Sequence, residues 1–119
     1  MLDIQVSTVE DPGYTVCQPH GELDAFTVSQ FREALAELSS SPRLVIDLSE
    51  VPFMDSAGLG ALIGGIRRTR EQGGEVAVAC NRPTLIRLLR TTGFDRIVPV
   101  ADSVEEAAAT LVAPEREGA

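Results

Sequence analysis

Apolar residues recur along this chain at two spacings, and the switches between them predict its elements. Ile4, Val6 and Thr8 alternate with polar neighbours, Asp11-Pro12-Gly13 supplies turn chemistry, and Tyr14 to Cys17 resumes an extended pattern. That combination reads as an antiparallel hairpin. Gly21 to Ala25 reads as a loop, and Thr27 with Gln30 has the form of a capping box ahead of Val28, Phe31, Leu35 and Leu38, a helix ending near the Ser39 to Pro42 cluster. Leu44 to Leu48 is a short, nearly continuous apolar run, as expected of a strand covered on both faces. From Ser56, the residues Leu59, Leu62, Ile63 and Ile66 recur at threes and fours, the stripe of an amphipathic helix that Gly73-Gly74 should stop. Val76 to Cys80 reads as a fourth strand. Asn81 is placed to cap a third helix, with Pro83 in its first turn, Leu85, Ile86, Leu88 and Leu89 inward and Gly93 as its stop. Ile97 to Val100 reads as a fifth strand, and Ser103 with Glu106 as a second capping box opening a helix through Leu111.

Strands alternating with helices after a hairpin imply an α/β fold. The expected sheet is mixed, four- to five-stranded, parallel in its second half, and joined to about four helices. A chain of 119 residues suits one domain, here 1–113, with 114–119 expected to form a flexible C-terminal tail. Binding sites in such sheets gather at the carboxyl ends of the strands, where Ser56, Asn81 and the loop after the second strand should meet.

Charge narrows the function. The formal net charge of -8 disfavours nucleic acid and anionic membrane surfaces as partners. All ten basic residues are arginine. The absence of lysine excludes a lysine-bearing phosphate loop and Schiff-base chemistry. The first residues carry Asp3 and no basic n-region, and no apolar run approaches a membrane span, which places the protein in the cytoplasm. Cys17 and Cys80 lack a CxxC or metal-ligand spacing and read as two small buried thiols.

The segment Asp47 to Gly60, DLSEVPFMDSAGLG, passes one serine from a buried strand to the mouth of a helix. There Ser56 can cap the helix with its hydroxyl, and free backbone N–H groups would suit an added phosphate. An enzyme is disfavoured: the surroundings Asp55-Ser56-Ala57-Gly58 lack the GxSxG elbow, and His20 is the sole histidine. Asp24, Asp47, Glu50 and Asp55 fit no known carboxylate metal spacing, so neither metal nor cofactor is expected. Asp24 and Asp55 also have plain roles as carboxylates at helix starts, and Arg67, Arg68 and Arg70 as cations at a helix end. Gly58, Gly60, Gly64 and Gly65 each cost about 0.5 to 1 kcal/mol inside a helix. Either close packing on the sheet or a smooth face for another protein must compensate; Gly64 and Gly65 cannot both point inward.

Those residues resemble the bacterial anti-sigma factor antagonists, single-domain proteins of the STAS fold. The resemblance runs through GELD at Gly21 to Asp24, VIDLSEVPFMDSAGLG at Val45 to Gly60, and TTGFDRIVPVADSVEEA at Thr91 to Ala107. It implies that Ser56 is phosphorylated by a partner serine kinase that is also the anti-sigma factor, that a PP2C-type phosphatase reverses this, and that the unphosphorylated protein binds the kinase and frees its sigma factor. Asp24 and Asp55 match family positions beside that site, and with the smooth glycine face they give an expected docking face of Asp24, Asp55, Ser56, Ala57, Gly58, Leu59, Gly60 and Gly64. Many members carry a second serine where this chain has Ala57, so alternative phosphorylation there fails here. The oligomeric state is open, a weak homodimer included. Two rival readings stand beside this one: a STAS subunit of a stress-signalling or lipid-transport assembly, and a nucleotide-binding or hydrolytic enzyme.

Overall fold

The computed structural model describes residues 2–112. Strands β1 (Asp3–Val9) and β2 (Tyr14–His20) form the antiparallel hairpin, in register from Asp3 opposite His20 to Val9 opposite Tyr14. The chain then alternates: helix α1 (Val28–Glu37), strand β3 (Arg43–Asp47), helix α2 (Ser56–Glu71), strand β4 (Glu75–Ala79), helix α3 (Pro83–Thr91), a 3-10 turn (Phe94–Arg96), strand β5 (Val100–Ala101) and helix α4 (Val104–Val112). The five strands lie in sequence order in one sheet, and every pairing after the hairpin is parallel.

Alternation along β3 distributes its side chains to two cores. Leu44 and Ile46 face the layer made by Phe31 and Leu35 of α1, Leu62 and Ile66 of α2, and Leu85 and Leu89 of α3. Val45 faces the opposite way, toward Ala107, Ala108 and Leu111 of α4. Both faces of the central strands are therefore covered, which explains why β3 and β4 read as continuous apolar runs. The first core also decides the fate of α2. Its four glycines together cost about 2 to 4 kcal/mol of helix propensity, whereas burying Leu62 and Ile66 returns about 1.5 to 3 kcal/mol each. Gly73, with φ at +90°, ends that helix in a left-handed turn.

Three local expectations need correction. Thr27 does not cap α1 with its side chain, and Gln30 donates instead to the Leu2 carbonyl. A reciprocal pair sits one turn earlier: the Asp24 carboxylate accepts the Thr27 N–H at 3.2 Å, and the Thr27 hydroxyl accepts the Asp24 N–H at 3.1 Å. The carboxylate is the stronger acceptor, so the box closes around it. Asn81 is exposed and does not cap α3. Arg82 holds the N-cap position without a side-chain cap bond, which costs little because Pro83 brings no N–H of its own to the first turn. The fifth strand is not Ile97 to Val100. Burial of Phe94 and Val98 draws the preceding segment into the 3-10 turn, leaves Ile97 exposed, and shortens β5 to Val100–Ala101. The second capping box keeps its serine half, with the Glu106 N–H donating to Ser103 Oγ at 3.1 Å. The expected tail 114–119 lies outside the described residues.

Candidate functional site

The mouth of α2 is assembled from two loops at the carboxyl ends of β2 and β3. Leu48 continues the sheet by donating to the Ala79 carbonyl at 2.8 Å, after which Ser49 to Asp55 leaves it. The loop after β2 straps across that segment. Gly21 donates to the Glu50 carbonyl, Leu23 forms a parallel bridge with Met54, the Leu23 N–H donates to the Phe53 carbonyl at 3.0 Å, and the Asp55 N–H donates to the Leu23 carbonyl at 3.1 Å. Leu23 and Met54 are both buried, so the strap is anchored by packing as well as by backbone bonds. From the β4 side, Arg82 Nε donates to the Ser49 carbonyl at 2.8 Å and ties down the start of the same loop.

Asp55, not Ser56, caps the helix. Its backbone is extended, and one carboxylate oxygen accepts the N–H groups of Ala57 at 2.9 Å and Gly58 at 3.1 Å. Ser56 is the first helical residue, it is exposed, and its hydroxyl makes no hydrogen bond among the described residues. The expectation that the serine caps α2 is thereby corrected, and with it the idea that free amides await a phosphate: two of the terminal N–H groups already belong to the Asp55 carboxylate. A phosphoryl group on Ser56 would stand beside that negative charge, with the macrodipole as its remaining local support.

The residues expected on a docking face divide into two groups. Ser56 and Gly60 are exposed, Asp24, Asp55, Ala57 and Gly64 half-buried, and a side chain built on Gly60 or Gly64 would meet nothing within 4 Å. Gly58 and Leu59 are buried and support the face from beneath. At Gly58 a Cβ would fall 2.5 Å from the Leu23 carbonyl oxygen, so glycine is required for the strap to pass. Gly65 is likewise a packing residue: its Cβ would lie 2.5 Å from Leu35 Cδ1, so of this adjacent pair, which could not both point inward, Gly65 packs and Gly64 faces out beside Gly60. Asp24 has a structural task too, accepting the Phe26 N–H at 2.9 Å as well as that of Thr27.

The remaining polar candidates serve the framework. His20 Nε2 lies 2.8 Å from Gln18 Oε1, and Gln18 donates to the buried Asp47 carboxylate at 2.7 Å, whose other oxygen accepts the Ser49 N–H. No hydrogen bond among the described residues joins His20 to Ser56. Nor does any group of three or more histidine, cysteine, aspartate or glutamate side chains among them suit a metal ion. Cys17 and Cys80 are free and buried. Burial pushes the Cys17 thiol up to about 12 and raises that of Cys80. Arg68 and Arg70 sit in the last turn of α2, where cations complement the carbonyl end. Two exposed aromatic side chains had no place in the sequence reading: Phe26, 93% exposed, and Phe53, 49% exposed. Their loop positions, outside any helical or alternating stripe, were the available signal.

This arrangement matches known proteins over nearly the whole chain. The sequence profile of the STAS domain matches residues 5–107. An anti-sigma F factor antagonist from Paenibacillus polymyxa is 30% identical over 86% of this chain and 90% of its own length. An anti-sigma-B factor antagonist from Listeria monocytogenes is 35% identical over 67% of this chain and 72% of its own. The crystal structure of an anti-sigma factor antagonist from Mycobacterium paratuberculosis superposes with a TM-score of 0.85 at 27% identity, covering 93% of this chain and 94% of the other. Among the described residues no helix is long and apolar enough to cross a membrane.

Proposed function

Because this chain belongs to the STAS domain family, we propose that it is an anti-sigma factor antagonist working in the cytoplasm by binding rather than by catalysis. Unphosphorylated, it docks on a serine kinase that is also the anti-sigma factor, and the sigma factor is released. Phosphorylation of Ser56 by that kinase ends the complex, and a PP2C-type phosphatase restores it. The observation that carries this reading is the position of Ser56: exposed, first in its helix, and relieved of capping by Asp55.

The energetics support a local switch. Phosphorylation adds about -1.5 to -2 charge. In the isolated protein that charge remains in water, and the helix dipole favours it by about 1 kcal/mol. In a docked complex the same dianion would be desolvated beside the Asp55 carboxylate, at a cost of several kcal/mol, and each 1.4 kcal/mol is about tenfold in affinity. Repulsion at the interface thus outweighs any change within the fold. Calorimetric titration of Ser56→Ala and Ser56→Asp against the kinase tests this: tight binding by the first and weak binding by the second are expected, and equal affinities would refute the switch.

A further inference from the structure

We propose that Phe26 is an aromatic anchor for the kinase, carried on a preordered turn and inserting into an apolar socket beside the kinase active site while Ser56 enters the cleft. The inference rests on the kinase-binding role proposed above and names the contact that gives it affinity.

Phe26 has no part in the fold. A side chain 93% exposed gains almost nothing from burial, and it places a whole phenyl ring in water. Isolated exposed apolar residues are common, so exposure alone decides little. What distinguishes Phe26 is the rigidity of its mount. Its own N–H is held by Asp24 Oδ1 at 2.9 Å, and the reciprocal Asp24 and Thr27 bonds close the turn on either side of it. The Thr27 hydroxyl also donates to the Glu22 carbonyl at 2.8 Å, tightening the same segment from Glu22 to Thr27. With the backbone already held, binding has only the two side-chain torsions of the phenyl ring left to order, which favours it as an energetic centre of an interface.

The mount is also coupled to the phosphorylation site. Leu23, three residues before Phe26, accepts the N–H of Asp55 and bridges Met54, so backbone bonds join the turn to the start of α2. Phe53, whose carbonyl accepts the Leu23 N–H, adds a second, half-exposed ring on the neighbouring loop. The loop that carries Phe26 also carries Glu22 and Asp24 and no basic residue. Charge complementarity therefore defines the partner surface: an apolar socket the size of a phenyl ring, bordered by lysine or arginine side chains. The same basic border would leave the phosphorylated protein bound if it contacted Ser56 itself, so the socket belongs at the Phe26 side of the cleft.

The test uses the full chain as wild type, Phe26→Ala, Phe26→Leu and Phe53→Ala, with each purified anti-sigma serine kinase encoded in the source genome. Binding is measured calorimetrically with ADP, and phosphorylation at steady state with MgATP. Phe26→Ala should raise both Kd and KM on the order of tenfold or more, with kcat and melting temperature unchanged, and Phe26→Leu should recover part of the loss. Phe53→Ala should have a smaller effect in the same direction. Unchanged Kd and KM for Phe26→Ala, against a kinase that does act on wild type, would overturn the anchor and spare the switch. A fall in kcat at constant KM would also overturn it. A wild-type chain that no kinase binds or phosphorylates would remove the switch and the anchor together.

Discussion

Asp55 and Ser56 divide between them two tasks that a single residue often performs at a helix start. The Asp55 carboxylate accepts the N–H groups of Ala57 and Gly58, and the adjacent Ser56 hydroxyl is left exposed and without a partner among the described residues. Stability and chemistry are thus separable at neighbouring positions. Asp55→Ala should cost about 1 kcal/mol, the usual value of a lost cap, and Asp55→Asn much less. Ser56→Ala should change stability by less than about 0.5 kcal/mol, as for a surface position without a bond to lose. Urea denaturation of the three variants checks both halves; a larger loss for Ser56→Ala than for Asp55→Ala would reverse the assignment.

The glycines of α2 should separate by face. Gly60→Ala and Gly64→Ala should stabilise the protein by about 0.5 to 1 kcal/mol each, because the new methyl group meets open space and the helix gains propensity. Gly58→Ala should destabilise it by about 1 to 3 kcal/mol, since the Leu23 carbonyl oxygen is backbone and cannot step aside cheaply. Gly65→Ala should also destabilise it, because the buried Leu35 meets the new methyl group with its Cβ at 2.9 Å as well as its Cδ1 at 2.5 Å. Thermal melts of the four variants give the order directly.

Burial of the cysteines has a pH signature. Cys17 titrates near 12 in the folded chain against an ordinary thiol value of 9.0, so between those values the folded state holds a proton that the unfolded state releases. Unfolding then gains free energy as pH rises: stability owed to this thiol is complete below about 9 and declines from there toward 12. Denaturation midpoints should fall across that window in wild type and fall less in Cys17→Ala. At pH 8 neither thiol of the native protein should react with a disulfide reagent, and both should react once it is unfolded.

Much of the architecture could be read from periodicity, because β3 and the α2 stripe are set by strong, repeated burial. Leu44, Ile46, Leu62 and Ile66 reach the core as their spacing required. The misreadings fall where a local motif competes with a better local partner or with tertiary burial. Thr27 has the right sequence for a cap, but Asp24 one turn earlier offers a charged acceptor. Asn81 yields to a proline that needs no cap, and Ile97 to the pull of buried Phe94. At the site, the place of Ser56 at the start of α2 followed from a strand running into a helix. The strap was not legible, because the approach of Leu23 to Gly58, Met54 and Asp55 joins segments distant in the sequence largely through backbone atoms that carry no residue identity. For the same reason a glycine needed for packing, Gly58, could not be told from an open one, Gly60.

The decisive measurement is the intact mass of the protein, followed by peptide mapping, after incubation with the anti-sigma serine kinases of its own genome and MgATP. Addition of a single phosphoryl group, located at Ser56 and lost in Ser56→Ala, is the expected result. A protein left unmodified by every such kinase, or modified at another residue with Ser56 untouched, would contradict the assignment of Ser56 as the switch.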